Sequence, residues 1–137
     1  MNILVIDAQG GGIGRQVISA IKGAYPHETV IAVGANSAAT SAMLKAGADQ
    51  AATGENAVVV CSRSADVIIG PVGIVIADAL LGEITPRMAV AVGQSPAKRV
   101  LIPVNHCDNI IIGVPDLTIS NLIQGVLEEL KAISIKR

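Results

Sequence analysis

The chain has 137 residues, which predicts a single domain spanning residues 1–137. Apolar residues make up 51% of it and charged residues 15%, so the composition excludes intrinsic disorder. The formal net charge is −1 and Tyr25 is the single aromatic residue, which excludes a basic or aromatic-stacking surface for nucleic acids.

The low charge content also predicts a homo-oligomer, because a lone domain of this size usually carries more surface charge. Cys61 and Cys107 are too few for a disulfide framework, and the N-terminus runs straight into an apolar segment without a basic leader. The longest uncharged apolar run, Val67–Ala77, is too short to span a bilayer and contains Pro71. We therefore expect a cytoplasmic protein without a membrane partner.

In chain order, short apolar runs predict buried strands, and 3.6-residue periodicity and capping residues predict the helices between them. The predicted strands are Asn2–Ile6, Thr29–Val33, Asp66–Ile69, Lys98–Pro103 and Asn109–Val114. The predicted helices carry Ile13, Val17 and Ile21, then span Ser37–Ala46, Glu55–Arg63, Thr85–Gly93 and Ile119–Ile133. A further strand is predicted before Glu55. Val67–Ala77 is predicted as a buried strand that turns into a buried helix, and Asp78 is assigned an interface or solvent-facing position on a helix.

The resulting order, β-α-β-α-β-α-β-α-β-β-α, predicts a three-layer, doubly wound α/β fold with a mainly parallel sheet, that is, a Rossmann-like fold. Ligands bind such sheets at the carboxyl ends of the strands, so polar and glycine residues at those ends are candidates for the binding site.

The most informative segment is Asp7-Ala8-Gln9-Gly10-Gly11-Gly12-Ile13-Gly14-Arg15, which follows the first strand and opens the first helix. Glycines allow close backbone approach, and the helix N-terminus stabilises anions, so the segment predicts binding of a nucleotide or dinucleotide phosphate. The predicted cofactor-binding residues are Asp7, Gln9, Gly10, Gly11, Gly12, Ile13, Gly14, Arg15, Asn36, Ser37, Gly70, Pro71 and Gly73. Arg15 is expected to pair with the charge of a small anionic ligand.

This turn resembles that of the short-chain dehydrogenases, whose Gly-Ile-Gly is matched by Gly12-Ile13-Gly14, although Ala8 stands at the family's first glycine. Asp66–Ile74 occupies the place of that family's strand ending in Asn-Asn-Ala-Gly, and it matches in the apolar strand and in Gly73. The catalytic Tyr-x-x-x-Lys pair is missing, so the resemblance implies an NAD(P)-like cofactor and not the reaction. No acid follows the second strand to bind a ribose, which favours NADP, a mononucleotide or another anion over NAD.

Two alternatives remain for the glycine-rich segment. Gly11–Arg15 also resembles, in a degenerate form, the Gly-Gly-x-Gly-Lys P-loop of the MinD/ParA-type ATPases, and this resemblance implies ATP or GTP binding. Arg15 and Gln16 stand where that loop has Lys and Thr, and without the hydroxyl a Mg²⁺-dependent phosphoryl transfer is not expected. The other alternative is that the glycines serve only close packing between strand and helix.

The catalytic candidates are His106, Cys107, Asp108 and Glu55. A thiol beside an imidazole is typical of an activated nucleophile, but neighbours on an extended chain point in opposite directions, so a polar loop is the alternative. The spacing does not suit a zinc site, so no metal is predicted. Glu55 is a candidate general base, or an ordinary first-turn acid.

The whole chain resembles a family of short bacterial proteins catalogued only as a domain of unknown function. The resemblance rests on Asp7–Gly14, Ala39–Ala48, Ala52–Ala57 and Gly82–Pro86. It implies a stand-alone domain and no particular reaction. A small oxidoreductase-like enzyme, a non-catalytic ligand sensor or regulatory oligomer, and a purely structural oligomer therefore all remain open.

Overall fold

The structure is a computed structural model, and it describes residues 1–104, 108–115 and 117–136. The strands are β1 (Asn2–Asp7), β2 (Thr29–Gly34), β3 (Gln50–Thr53), β4 (Val67–Pro71) and β5 (Lys98–Ile102). The helices are α1 (Gly12–Ala24), α2 (Ser37–Lys45), α3 (Glu55–Ser62), α4 (Pro86–Gln94) and α5 (Ile119–Lys136), with a 3₁₀ turn at Val72–Val75.

The described strands form one parallel sheet in the order β3-β2-β1-β4-β5. β1 is central because its side chains are apolar on both faces: Ile3 and Val5 enter one core, and Leu4 and Ile6 enter the other. Helices α1, α2 and α5 cover the first face, and α3 and α4 cover the second. The predicted three-layer, Rossmann-like α/β class is therefore confirmed.

Local signals fixed the helix starts. The Asn36 side chain accepts a hydrogen bond of 2.9 Å from the backbone N–H of Ala39 and caps α2. Thr85 caps α4 in the same way, with Met88 as donor at 3.2 Å and Pro86 in the first helical position. Both helices begin where the sequence predicted.

Two predicted elements were wrong. Asn109–Val114 is not a strand; its residues form largely exposed turn and coil, and they leave the open edge of β5 unpaired within the described chain. The helix predicted after the strand in Val67–Ala77 and around Asp78 is a 3₁₀ turn at Val72–Val75 followed by tight turns. Asp78, Leu80 and Leu81 have φ values of 66°, 58° and 58°, which a right-handed helix cannot contain.

The longest helix, α5, has 18 residues and carries the charged side chains of Glu128, Glu129 and Lys131. Neither it nor another helix in the described ranges has the length and apolar character needed to cross a membrane.

The strand order places a crevice between β1 and β4. After β1 the chain crosses to β2 over the first face, and β4 lies on the other side of β1. At such a switch point the loops diverge beyond the carboxyl ends of the strands, which is where open α/β sheets bind ligands. The glycine-rich segment after β1 lies at this point.

Candidate functional site

A pocket of about 240 Å³ lies over the turn that joins β1 to α1. We call it the loop pocket. Its lining residues are Asp7, Ala8, Gln9, Gly10, Gly12, Ile13, Gln16, Leu80 and Ile119. Most of them were predicted from the glycine-rich segment. Ala8, Gln16, Leu80 and Ile119 were not predicted as site residues. Leu80 and Ile119 reach the pocket from distant parts of the chain.

Two of the four glycines in this turn are required by packing. Gly11 has a φ of 70°, and a Cβ added there would lie 2.9 Å from the Ala39 carbonyl oxygen. At Gly14 a Cβ would lie 2.5 Å from Met43 Sδ and 3.0 Å from the Asp7 Cβ. These two glycines let α1 and its turn pack against α2 and β1, as the packing alternative predicts.

The other two glycines, Gly10 and Gly12, are exposed, and a Cβ added to either would meet no atom within 4 Å. Packing therefore does not explain them. Within the described ranges, no hydrogen bond engages the backbone N–H of Gly10 or Gly12. Gly12 is the first residue of α1 and Gly10 lies two residues before it, at the helix end whose dipole favours an anion.

The buried carboxylate of Asp7, which is 5% exposed, ties β1 to α1. Its Oδ1 accepts a hydrogen bond of 2.8 Å from the Ala8 N–H, and its Oδ2 accepts one of 2.7 Å from the Gly14 N–H. Burial raises the pKa of Asp7 above its ordinary value, the nearby carboxylate of Glu83 raises it further, and the hydrogen bonds oppose the rise. Asp7 is therefore a cap of α1 beside the pocket.

Glu83, from the segment after β4, stabilises the turn between β1 and α1 through hydrogen bonds. Its Oε2 accepts hydrogen bonds of 3.1 Å from the Gln9 N–H and 2.8 Å from Asn36 Nδ2. The same Nδ2 group also donates to the Gln9 carbonyl at 2.9 Å. Gln9 needs this support because its φ of 53° lies in the left-handed region. Glu83 was not predicted as a site residue, since nothing in the local sequence relates it to a turn near residue 9.

Several predicted binding residues lie outside the pocket. The polar side-chain atoms of Asn36 are all bonded to the protein, and Ser37 is exposed at the start of α2. Gly70, Pro71 and Gly73 are buried; a Cβ at Gly70 would lie 2.5 Å from the Ile6 carbonyl oxygen. They pack the strand end and the turn above it, so we leave them out of the proposed site.

Arg15 is exposed and lines a separate groove of about 1000 Å³ between α1, α2 and α5. Lys45 lines the same groove, which is otherwise formed by small, polar and aliphatic side chains. The structure thus places the predicted phosphate partner on the helical face rather than over the glycines.

Of the catalytic candidates, His106 and Cys107 lie outside the described residues, and Asp108 is exposed. Glu55 begins α3, and its Oε1 accepts a hydrogen bond of 2.7 Å from the Thr85 hydroxyl. Glu55 therefore links the starts of α3 and α4. Among the described residues, His, Cys, Asp and Glu side chains nowhere gather in a group of three that could hold a metal ion.

Comparison with known proteins identified one matching family model and a distant structural similarity. The family model described as "Domain of unknown function (DUF3842)" matches residues 2–135. A search of curated proteins gave no significant match. Among solved structures, a dodecameric FMN-dependent Ubix-like decarboxylase from Escherichia coli O157:H7 is similar at a TM-score of 0.45 and 13% identity, over 94% of each chain. At that level the likeness indicates neither the ligand nor the reaction of this protein.

Proposed function

We propose that this chain, which belongs to the family described as Domain of unknown function (DUF3842), binds a nucleotide through its phosphate at the loop pocket. The observation that carries the proposal is the pair of open glycines, Gly10 and Gly12. They keep side-chain atoms away from the N-terminus of α1 and offer two unengaged N–H donors to an anion.

The size of the pocket favours a limited contact. Ligand pockets usually occupy about 300–1000 Å³, so 240 Å³ accommodates a phosphate with part of a sugar rather than a complete dinucleotide. The rest of the nucleotide would lie across the carboxyl edge of the sheet. Because Asn36 is fully engaged and no acid follows β2, the ribose contact typical of NAD is missing. A mononucleotide or NADP suits the site better than NAD.

Binding without catalysis is the form of this function that the described residues favour. Asp7 is the titratable side chain among the residues that line the loop pocket, and both of its oxygens are directed at backbone N–H groups, those of Ala8 and Gly14. A general base needs a free lone pair directed at the substrate. We therefore propose a ligand sensor or regulatory binding module rather than a small cofactor-dependent enzyme.

Thermal melting, followed with a dye because the chain has no Trp, tests the proposal. The nucleotides to compare are FMN, NADP, NAD, ATP, GTP and S-adenosylmethionine. A ligand at 100 times its dissociation constant stabilises the folded protein by about 2.7 kcal/mol, which raises Tm by several degrees. A rise with one of them supports the site, and incubation of that ligand with the protein then tests for turnover. A Tm that stays unchanged with all six nucleotides would contradict the proposal.

The pH dependence of binding provides a prediction about Asp7. A charged Asp7 repels a phosphate, and its pKa is raised, so we expect the dissociation constant of the nucleotide to fall as the pH is lowered toward that pKa. Isothermal titration calorimetry over a pH series measures this. Asp7→Asn in the same series is the control for titration of the phosphate itself. An equal pH dependence in both proteins would contradict the role of Asp7.

The raised pKa of Asp7 should also make the stability of the unliganded protein depend on pH. A raised folded-state pKa means that Asp7 contributes stability below its ordinary pKa of 3.8, and that this contribution is lost as the pH rises through the folded-state value. The free energy of unfolding of the wild type, relative to Asp7→Asn, should therefore increase as the pH falls from neutrality. Urea denaturation at several pH values gives this difference.

For Arg15 we expect a small effect. Its side chain lines the groove between the helices, so Arg15→Ala should weaken nucleotide binding less than about fivefold, through long-range charge that salt screens. Lys45→Ala, on the same groove, is the matched control for the loss of one positive charge. A loss of fiftyfold or more for Arg15→Ala alone would show that the guanidinium contacts the phosphate directly.

A further inference from the structure

Six large, exposed apolar side chains lie in the two chain segments that follow β4 and β5. We call them the apolar rim; they are Leu81, Ile110, Ile112, Val114, Leu117 and Ile119. Leu81 is 95% exposed, Ile110 87% and Ile112 89%, which are extreme values for residues of this type. Side chains like these are usually covered in the functional state of a protein.

The rim comes from two segments that follow neighbouring strands. Leu81 follows β4 and the other five follow β5, so both segments leave the sheet at the same edge. They meet at the loop pocket, which is lined by Leu80 from the first segment and Ile119 from the second. The rim therefore borders the proposed nucleotide site.

The backbone that presents Leu81 is strained. Asp78, Leu80 and Leu81 all have positive φ, a conformation that non-glycine residues rarely adopt. The turn is closed by hydrogen bonds from the Asp78 N–H to the Ile84 carbonyl at 2.7 Å and from the Gly82 N–H to the Asp78 carbonyl at 3.1 Å. Such strain is often found where a segment has a function beyond local stability, and here it places an apolar side chain in water.

We propose that a second copy of this chain covers the apolar rim, so that the mouth of the loop pocket lies at the interface between two subunits. A buried Leu or Ile side chain removes about 60–120 Å² of apolar surface from water, so the exposed fractions of the rim together offer about 250–500 Å². A standard interface buries about 800 Å² per partner, of which roughly 450 Å² is apolar. The upper end of the range for the rim reaches this apolar area.

Charge favours a second copy as the occupant. The six rim side chains are apolar, so their complement is another apolar patch, and the rim of a second copy is such a patch. The net charge of −1 adds little repulsion between copies. A two-fold interface of this kind uses the same patch on both subunits and is the commonest form of homo-oligomer.

Light scattering after size-exclusion chromatography tests the interface. The wild type should be dimeric or larger at about 100 μM, where a micromolar dissociation constant is saturated. Ile112→Glu places a charge in the interface and should raise the dissociation constant about 100-fold or more, leaving monomers. The side chain is 89% exposed, so the monomer loses almost no packing and its melting curve should remain cooperative.

Val90→Glu on α4 and Leu44→Glu on α2 are the matched controls, because these side chains are 53% and 50% exposed and lie outside the rim. Both should keep the assembly of the wild type. A monomeric wild type, or an Ile112→Glu protein that assembles like the wild type, would overturn the proposal. So would loss of assembly in both control variants together with Ile112→Glu.

The placement of the pocket at the interface rests on the proposed nucleotide site. Measuring nucleotide binding as well as assembly distinguishes a failure of the interface from a failure of the nucleotide site. A Gly12→Val protein that loses nucleotide binding should still assemble. Monomeric Ile112→Glu should bind the nucleotide at least about tenfold more weakly than the wild type, since the second copy no longer borders the pocket. Wild-type affinity in the monomer would overturn this placement, whereas absence of nucleotide binding in every protein would overturn only the proposed function and leave the assembly result intact.

Discussion

Gly12→Val should abolish nucleotide binding and leave the fold intact. A Cβ added at this exposed position has open space around it, so we expect the unliganded protein to accommodate the valine. It would occupy the space in front of the unengaged N–H of Gly12, where the phosphate is proposed to lie. Loss of a hydrogen bond to a charged group and the steric overlap together should weaken binding about 100-fold or more. Calorimetric titration with the nucleotide measures the loss.

Gly23→Val is the matched control, because Gly23 lies near the other end of α1, is exposed, and also has open space around its Cβ position. Both variants replace an exposed helical glycine with the same residue, so both should melt within a few degrees of the wild type. Only the change at Gly12 should affect the ligand. Equal affinity in the two variants would remove Gly12 from the binding site.

Gly70→Ala should destabilise the protein by about 3 kcal/mol, with or without a ligand. The added Cβ would lie 2.5 Å from the Ile6 carbonyl oxygen and 2.9 Å from Ile74 Cδ1. Ile74 can shift its side chain, but the carbonyl belongs to the central strand of the sheet and cannot move without disturbing β1. Overpacking against a rigid backbone accounts for a loss of this size. Urea denaturation gives the free energy of unfolding.

Gly93→Ala is the control for this substitution. Gly93 is exposed in α4 and open around its Cβ position, so alanine should stabilise the helix by about 0.5–1 kcal/mol. Replacing glycine with alanine is therefore expected to lower the free energy of unfolding at Gly70 and to raise it at Gly93. If Gly70→Ala unfolds at the urea concentration of the wild type, the tight packing between β4 and β1 is incorrect.

The sequence predicted most of the fold because most of its elements are signalled locally. The apolar strands β1, β2 and β4 are recognisable within a few residues, and Asn36 and Thr85 are cap residues that act on the next turn of chain. The failure at Asn109–Val114 has a non-local cause. Its apolar pattern equals that of a buried strand, but tertiary packing, rather than its own residues, decides whether such a segment joins the open edge of β5.

The turn at residues 76–82 was mispredicted for another reason. Its apolar residues suggest a helix, but Leu80 and Leu81 adopt positive φ values that their side chains disfavour. Tertiary hydrogen bonds, such as the one from the Asp78 N–H to the Ile84 carbonyl, impose this conformation. No pattern of residue types indicates such an override of local preference.

The candidate site was predictable only in part. The glycine cluster is a local feature, so the position of the loop pocket followed from the sequence. The division between Gly12, which is open, and Gly14, which is closed by Met43, depends on how α2 packs against α1. Glu83 contacts Gln9 only because the chain returns to the same edge after β4. A glycine that packs and a glycine that admits a ligand look identical in a sequence.

The sheet order has a consequence for the synthesis of this protein. Ile3 in the central strand pairs with Val30 on one side and with Val67 on the other. A growing chain therefore completes β1, α1 and β2 while the opposite edge of β1 still has no neighbour. At a translation rate of roughly 5–20 residues per second, that edge of β1 stays unpaired for a few seconds before β4 emerges from the ribosome. An unpaired apolar strand is a template for pairing with other chains, so the nascent protein is most vulnerable to aggregation in this interval.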